Sequence, residues 1–292
     1  MNYTEEATLF ACEGDTLVGI LSRPELPEQT GVVVIVGGPQ YRAGSHRQFV
    51  LLSRALAAAG YPVLRFDYRG MGDSTGTQRD FEAVSADIAA AIEALKQRVP
   101  AVRQVALWGL CDGASAALLY WHETSDPRIS GLCLLNPWVR SEASLARTQV
   151  KHYYRQRLMQ KEFWLKLMRG RVALGAVSGL IQKIQLANTT ADKRASKTRQ
   201  ALFQHRMAAA WHGFNGHLLL LLSGDDYTAK EFVEYAGADP VWKNYQNHAG
   251  LLCREIDGAD HTCSTPNASE MVETYTLAWL TGQSKGNQNG TP

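Results

Sequence analysis

Cys111 stands in the run Gly109-Leu110-Cys111-Asp112-Gly113, a nucleophile with a glycine two residues to either side. An apolar run, Arg103 to Trp108, precedes it, and helix-forming sequence at 112–123 follows. This spacing predicts a tight strand-to-helix turn of the nucleophile-elbow kind, with cysteine where serine is usual. Cβ atoms at positions 109 and 113 would collide with neighbouring backbone in such a turn. The turn lifts the sulfur to the sheet edge and sets it over a helix N-terminus, whose positive dipole end favours thiolate. An ordinary βα turn around a buried cysteine has the same local sequence, so the reading depends on partners elsewhere in the chain.

A base must reach the sulfur. His261 follows the strand-like run Leu251 to Ile256, in Asp257-Gly258-Ala259-Asp260-His261. A carboxylate that fixes the imidazole tautomer and stabilises imidazolium should follow the run His217 to Leu222. There Ser223-Gly224-Asp225-Asp226 offers two neighbours. Asp226 is favoured because it lies further from the strand end, and Asp225 stays open. The order nucleophile, acid, histidine is one of the known orders of such a triad. An oxyanion hole needs two backbone donors. One is expected from the N–H of Asp112. The other is expected from Gln40 or Tyr41 in the loop Gly37-Gly38-Pro39-Gln40-Tyr41, since Pro39 has no N–H. Leu110 and His46 are expected at the substrate pocket, with capping of its own helix as the alternative for His46.

The elements that position these groups can be read along the chain. Thr8–Cys12 and Thr16–Leu21 flank a Gly14 turn and read as a hairpin. Gly31 to Val36 is a continuous β-branched run, as expected of a strand buried on both faces. Further strands are predicted at Pro62–Asp67, Arg103–Trp108, Ile129–Leu135, His217–Leu222 and Leu251–Ile256. Helices are predicted at about His46–Ala59, 79–98, 112–123, from Ala229, and at Asn267–Leu280. Alternating strands and helices imply a mainly parallel, doubly wound α/β sheet with helices on both faces. Ligands bind beyond the carboxyl ends of such strands, where all the residues above fall. The alternation breaks for some 75 residues of basic, helical sequence. The expected organisation is therefore a core of residues 1–138 and 211–282, a helical cap at 139–210, and a polar, disordered tail at 283–292.

Gly37-Gly38-Pro39, then Phe66-Asp67-Tyr68-Arg69-Gly70-Met71-Gly72-Asp73-Ser74, then the Cys111 elbow, Ser223-Gly224-Asp225-Asp226 and Gly258-Ala259-Asp260-His261 together resemble the α/β-hydrolase superfamily. Asp67 and Arg69 read as architectural. More narrowly, the run from Gly37 to Arg47, with the cysteine elbow and the basic cap, resembles the type 1 hydrolases associated with exosortase A systems. That resemblance covers residues 1–282. It implies a bacterial setting of exopolysaccharide production and protein sorting, and no established substrate. A Cys-His-Asp set is also similar to dienelactone hydrolase, whose compact, uncapped form differs from this chain.

The composition is that of a soluble globular protein, with 45% hydrophobic and 20% charged residues. At 292 residues the chain is long for one domain but ordinary for a large α/β sheet with an inserted cap. No stretch approaches the ~18 apolar residues of a membrane helix, and the acidic N-terminus has no signal-peptide core. The five cysteines follow no disulfide or metal spacing, and Cys133 and Cys253 read as buried small residues. A reducing cytoplasm is expected. The net charge of +2 conceals an asymmetry. Residues 139–210 hold fifteen lysines and arginines against three acids. A basic cap would meet something negative, such as a carrier-bound or anionic acyl substrate or an anionic membrane surface, or else form a solvated helical face. No nucleic-acid motif occurs. The chemistry expected is acyl transfer from an ester or thioester to Cys111, then to water, with no metal or organic cofactor. The alternatives are transfer to a polysaccharide or lipid precursor, and a non-catalytic scaffold.

Overall fold

The computed structural model describes residues 2–38, 40–139 and 192–288, with side chains given up to Val139 and from Phe203 to Gly282. The expected cap therefore lies, over residues 140–191, outside the described residues. The chain divides into two compact units, residues 1–139 with 205–292, and residues 140–204.

The first unit is built on an eight-stranded sheet. Its strands are β1 (Tyr3–Cys12), β2 (Asp15–Pro24), β3 (Thr30–Ile35), β4 (Val63–Phe66), β5 (Gln104–Leu110), β6 (Ile129–Leu135), β7 (His217–Ser223) and β8 (Leu251–Ile256). Their order across the sheet is β1-β2-β4-β3-β5-β6-β7-β8. β1 pairs antiparallel with β2, and β2 antiparallel with β4. From β4 to β8 every pairing is parallel. The apolar runs explain the centre. Every residue of β3 and β4 is buried, as is β5 from Val105 to Leu110. Such strands expose almost no side chain to water, Arg65 of β4 being buried against Glu5, so they are stable only with both faces covered. Helix α1 (Gln48–Ala58) packs against α6 (Pro266–Gln288), and α2 (Ser85–Arg98) against α3 (Asp112–Thr124). Helices α4 (Asp192–Gly213) and α5 (Tyr227–Ala238) precede and follow β7. Trp211, Phe232, Trp242 and Tyr245 form one buried aromatic cluster beside them, tied by the Trp211 indole N–H donating to the Tyr245 carbonyl at 2.9 Å.

Several boundaries differ from the sequence reading. α1 starts at Gln48, because Gly44, His46 and Arg47 all have positive φ and hold a 3-10 turn over Ser45–Arg47. α2 starts at Ser85 after a separate turn, Phe81–Ala83, capped by the Asp80 carboxylate. α6 continues to Gln288, so residues 283–288 of the expected disordered tail are helical. Cys253 is exposed rather than buried, because β8 is the edge of the sheet and one side of it is open.

The Asp67–Ser74 loop is tied to the loop that follows β3 through Arg42. Asp67, fully buried, accepts the Arg42 N–H at 2.6 Å and the Asp73 N–H at 3.1 Å, and also the Arg42 guanidinium. A Cβ on Gly72 would lie 2.2 Å from the Asp67 carboxylate, so only glycine fits there. Arg69 forks onto Asp87, with Nη2 at 2.7 Å. Both residues are thus built into the frame.

At the far end of α3, Asp126 is 7% exposed. It accepts the Tyr120 hydroxyl at 2.6 Å and the Arg128 guanidinium at 2.7 and 2.9 Å. Burial would push its carboxyl up, but these donors outweigh burial and hold it at about 2, below the ordinary 3.8. A depressed carboxyl stabilises the fold above its unfolded value and loses that contribution as the pH falls through its folded value. Asp126→Asn is therefore expected to cost about 2 kcal/mol in urea melts at pH 7 and about half of that at pH 3. An equal cost at both pH values would exclude the charge as its origin.

Candidate active site

The elbow is formed as its glycines require. Cys111 has φ 60° and ψ −125°, a conformation that costs a non-glycine residue about 1–3 kcal/mol and persists only when its surroundings over-determine it. Those surroundings are the Leu135 carbonyl, which accepts the Cys111 N–H at 2.9 Å, and the Trp138 N–H, which donates to the Cys111 carbonyl at 3.2 Å. A Cβ on Gly109 would stand 2.5 Å from the backbone of Gly113, and one on Gly113 2.5 Å from the Ile35 carbonyl. Cys111 is half-buried and directly precedes α3, thirteen residues long, at its N-cap position.

His261 and Asp226 are brought together. His261 Nδ1 lies 2.9 Å from Asp226 Oδ2. The same oxygen accepts the Ala229 N–H at 3.0 Å, so Asp226 also caps α5. Its side chain is 8% exposed, against 35% for His261. Burial alone would push the Asp226 carboxyl up; the His261 ring and the helix N–H groups hold it below the usual range. Asp225 is exposed, and its N–H is used in the Ala259 turn at 2.9 Å. The imidazole partner is therefore Asp226.

A residue that sequence reasoning missed joins the two halves. Asn136, fully buried with φ +49°, donates from Nδ2 to Ser223 Oγ at 2.9 Å and to the His261 carbonyl at 3.2 Å. Its Oδ1 accepts the Ser223 N–H at 2.8 Å. Leu135 and Trp138, which hold Cys111, lie within two residues of Asn136. The last residue of β6 and the short loop after it thus hydrogen-bond to both the elbow and the histidine loop. The Asn136-Pro137 pair at a strand end was the available signal, since asparagine tolerates positive φ.

The other expectations fare differently. Of the oxyanion loop, Pro39 lies outside the described residues. The Gln40 N–H is directed back to the Gly37 carbonyl at 3.4 Å, and Tyr41 is exposed, with the Arg42 guanidinium over its ring. The loop N–H that reaches the elbow is that of Gly38, which donates to the Asp112 carboxylate. Gly37 permits this approach, because a Cβ there would lie 2.1 Å from the Leu110 carbonyl. Leu110 is 1% exposed, a β5 core residue rather than a wall of a substrate pocket. His46 makes no side-chain cap on α1. It lines an open groove of about 550 Å³ with Gln48, Leu51, Cys263, Ser264 and Glu273.

The family described as serine aminopeptidase, S33, matches residues 27–217. The human protein ABHD12B is 37% identical over 86 residues, which are 30% of this chain and 23% of that protein. This chain thus matches less than a quarter of that relative's length. Among solved structures, the Pyrococcus furiosus esterase Pf2001 aligns over 96% of this chain and 93% of its own, with a TM-score of 0.64 and 15% identity. Est1E from Butyrivibrio proteoclasticus, solved with ferulic acid bound, aligns over 96% and 100%, with a TM-score of 0.63 and 16% identity. At these identities the structural likeness speaks for the fold.

Proposed function

We propose, from the premise that this chain belongs to the serine aminopeptidase S33 family of α/β-hydrolases, that it hydrolyses an ester or thioester with Cys111 in the place of the family's serine. The observation that carries this reading is the hydrogen bond of His261 to Asp226 at 2.9 Å, on loops joined through the Leu135–Trp138 segment to a strained cysteine elbow. In the reaction His261 takes the Cys111 proton and the sulfur adds to the substrate carbonyl carbon. The tetrahedral oxyanion collapses to a Cys111 thioester as the leaving alkoxide or thiolate takes the proton from His261. A water then gives its proton to His261 and adds to the thioester; collapse releases the acid and returns the proton to sulfur. Asp226 holds Nδ1, so that Nε2 faces the reacting groups, and stabilises imidazolium.

The narrower resemblance of residues 37–47 supports a setting of exopolysaccharide production. The basic charge of residues 139–210 supports an anionic or carrier-bound acyl substrate, or an anionic bilayer beside it. Among the described residues no helix is long and apolar enough to cross a membrane.

The test is intact-protein mass after incubation with a panel of acyl thioesters and p-nitrophenyl esters. A transient acyl adduct on Cys111, absent in Cys111→Ala, is the expected result, and its mass names the acyl class. The assay is run in a Cys253→Ser background, because Cys253 is the other exposed or half-exposed thiol among the five. Turnover without any Cys111 adduct in the pre-steady state, and undiminished in Cys111→Ala, would refute the assignment.

A further inference from the structure

The Asp112 carboxylate accepts from backbone N–H groups at the elbow. Its Oδ1 accepts the Gly38 N–H. Burial pushes the Asp112 carboxyl up, and the N–H groups of Gly38, Gly113 and Asp112 itself offset only part of that. The Asp112 N–H follows the nucleophile and is one of the two expected oxyanion donors. The Gly38 N–H is the group of the opposite loop that reaches the elbow. The approach is tight, since a Cβ on Gly37 would stand 2.7 Å from the same Oδ1. An anion held there repels a developing oxyanion and competes with it for hydrogen bonds.

A second observation comes from β4's end. Tyr68 is 4% exposed, and its hydroxyl is buried with no hydrogen-bond partner among the described residues. Buried hydroxyls are seldom left unpaired. Burial pushes the Tyr68 hydroxyl well up from its ordinary value, and the charges of Asp112 and Asp87 push it the same way. Asp80 is the other acid that acts on Asp112. A buried hydroxyl without a partner among the described residues therefore lies within the electrostatic reach of the Asp112 carboxylate.

We propose that the Asp112 carboxylate occupies the oxyanion site while no acyl group is bound, and turns to the Tyr68 hydroxyl when the acyl oxygen takes its place. Asp112 is then a positioning residue that decides when the donors are open. The inference rests on the reading of Cys111 as the nucleophile.

Two reactions of Cys111 separate this from a simple charge effect. Acylation by p-nitrophenyl acetate passes through an oxyanion, whereas alkylation by iodoacetamide displaces iodide and forms none. Both rates are measured at Cys111 by mass in the Cys253→Ser background, for the parent, Asp112→Ala, Tyr68→Phe and the double variant. Asp112→Ala is expected to raise the ratio of acylation to alkylation about tenfold, a fraction of what one oxyanion donor contributes. Tyr68→Phe is expected to lower the ratio several-fold alone and to change nothing in the Asp112→Ala background, since the two act on one exchange. Asp112→Asn keeps an acceptor for the Gly38 N–H without the charge. It is expected to raise the ratio by less, and it preserves the test if Asp112→Ala unfolds. An equal change in both rates for Asp112→Ala, a fall in acylation alone, or a Tyr68→Phe effect that persists without Asp112 would each overturn the proposal. Alkylation of Cys111 in every variant with acylation in none would instead refute the nucleophile reading, and this inference with it.

Discussion

Replacing Cys111 or His261 by alanine is expected to lower turnover by roughly 10³-fold or more, with the double variant little worse than either single one. The reason is that neither group works alone. Without the imidazole the sulfur has no base and the leaving group no acid, and without the sulfur the imidazole has nothing to activate. Single-turnover rates on an activated ester measure this directly. Losses that multiply in the double variant would show two independent contributions and contradict a shared mechanism. Cys111→Ser is the more discriminating change. The elbow backbone, held by Leu135 and Trp138 and by the absence of Cβ at 109 and 113, does not depend on the atom at the tip. A hydroxyl needs far stronger base assistance than a thiol, so most of the turnover is expected to be lost. Full retention would mean that this site works as a serine enzyme's does and has no need of thiol chemistry.

Asp226→Asn is expected to lower turnover by roughly 10²–10⁴-fold, the range that positioned acid–base catalysis supplies. Asp225→Asn is expected to change it by less than about twofold, as an exposed surface substitution would. The comparison is clean because asparagine caps a helix about as well as aspartate, so α5 keeps its start in Asp226→Asn. What changes is the partner of His261 Nδ1: an amide can present its N–H to the ring and select the wrong tautomer. Equal thermal midpoints together with a large kinetic loss would place the effect in the imidazole. Equal, small kinetic effects at both positions would remove Asp226 from the mechanism, whatever its distance from the ring.

The frame and the chain order of the site follow from local chemistry. An unbroken β-branched run such as Gly31–Val36 can bury both faces only in the middle of a covered sheet, so the parallel α/β core was legible from such runs. The elbow was legible because its constraint is steric and lies within five residues: Gly109 and Gly113 meet Gly113 and Ile35 backbone at 2.5 Å once a Cβ is added. His261 was legible by its place after the last strand. Interactions across long separations decided the rest. Asp225 and Asp226 are neighbours of one chemistry, and nothing local distinguishes them. The Ala229 N–H and the His261 ring, 35 residues on, turn one carboxylate inward, while the Ala259 carbonyl fixes its neighbour's N–H. Asn136 acquires its place only when β6 and β7 pair and bring Ser223, 87 residues away, and His261, 125 residues away, to its amide. Gly38 rather than Gln40 faces the elbow because the Asp112 side chain, 74 residues away, draws its N–H. Cys253 is exposed because strand order, which local sequence does not encode, leaves β8 at an edge. Local sterics and burial act over a few residues and can be read from them. The direction of a polar side chain depends on which distant donors and acceptors the folded sheet sets within 3 Å of it, and that is a property of the tertiary structure.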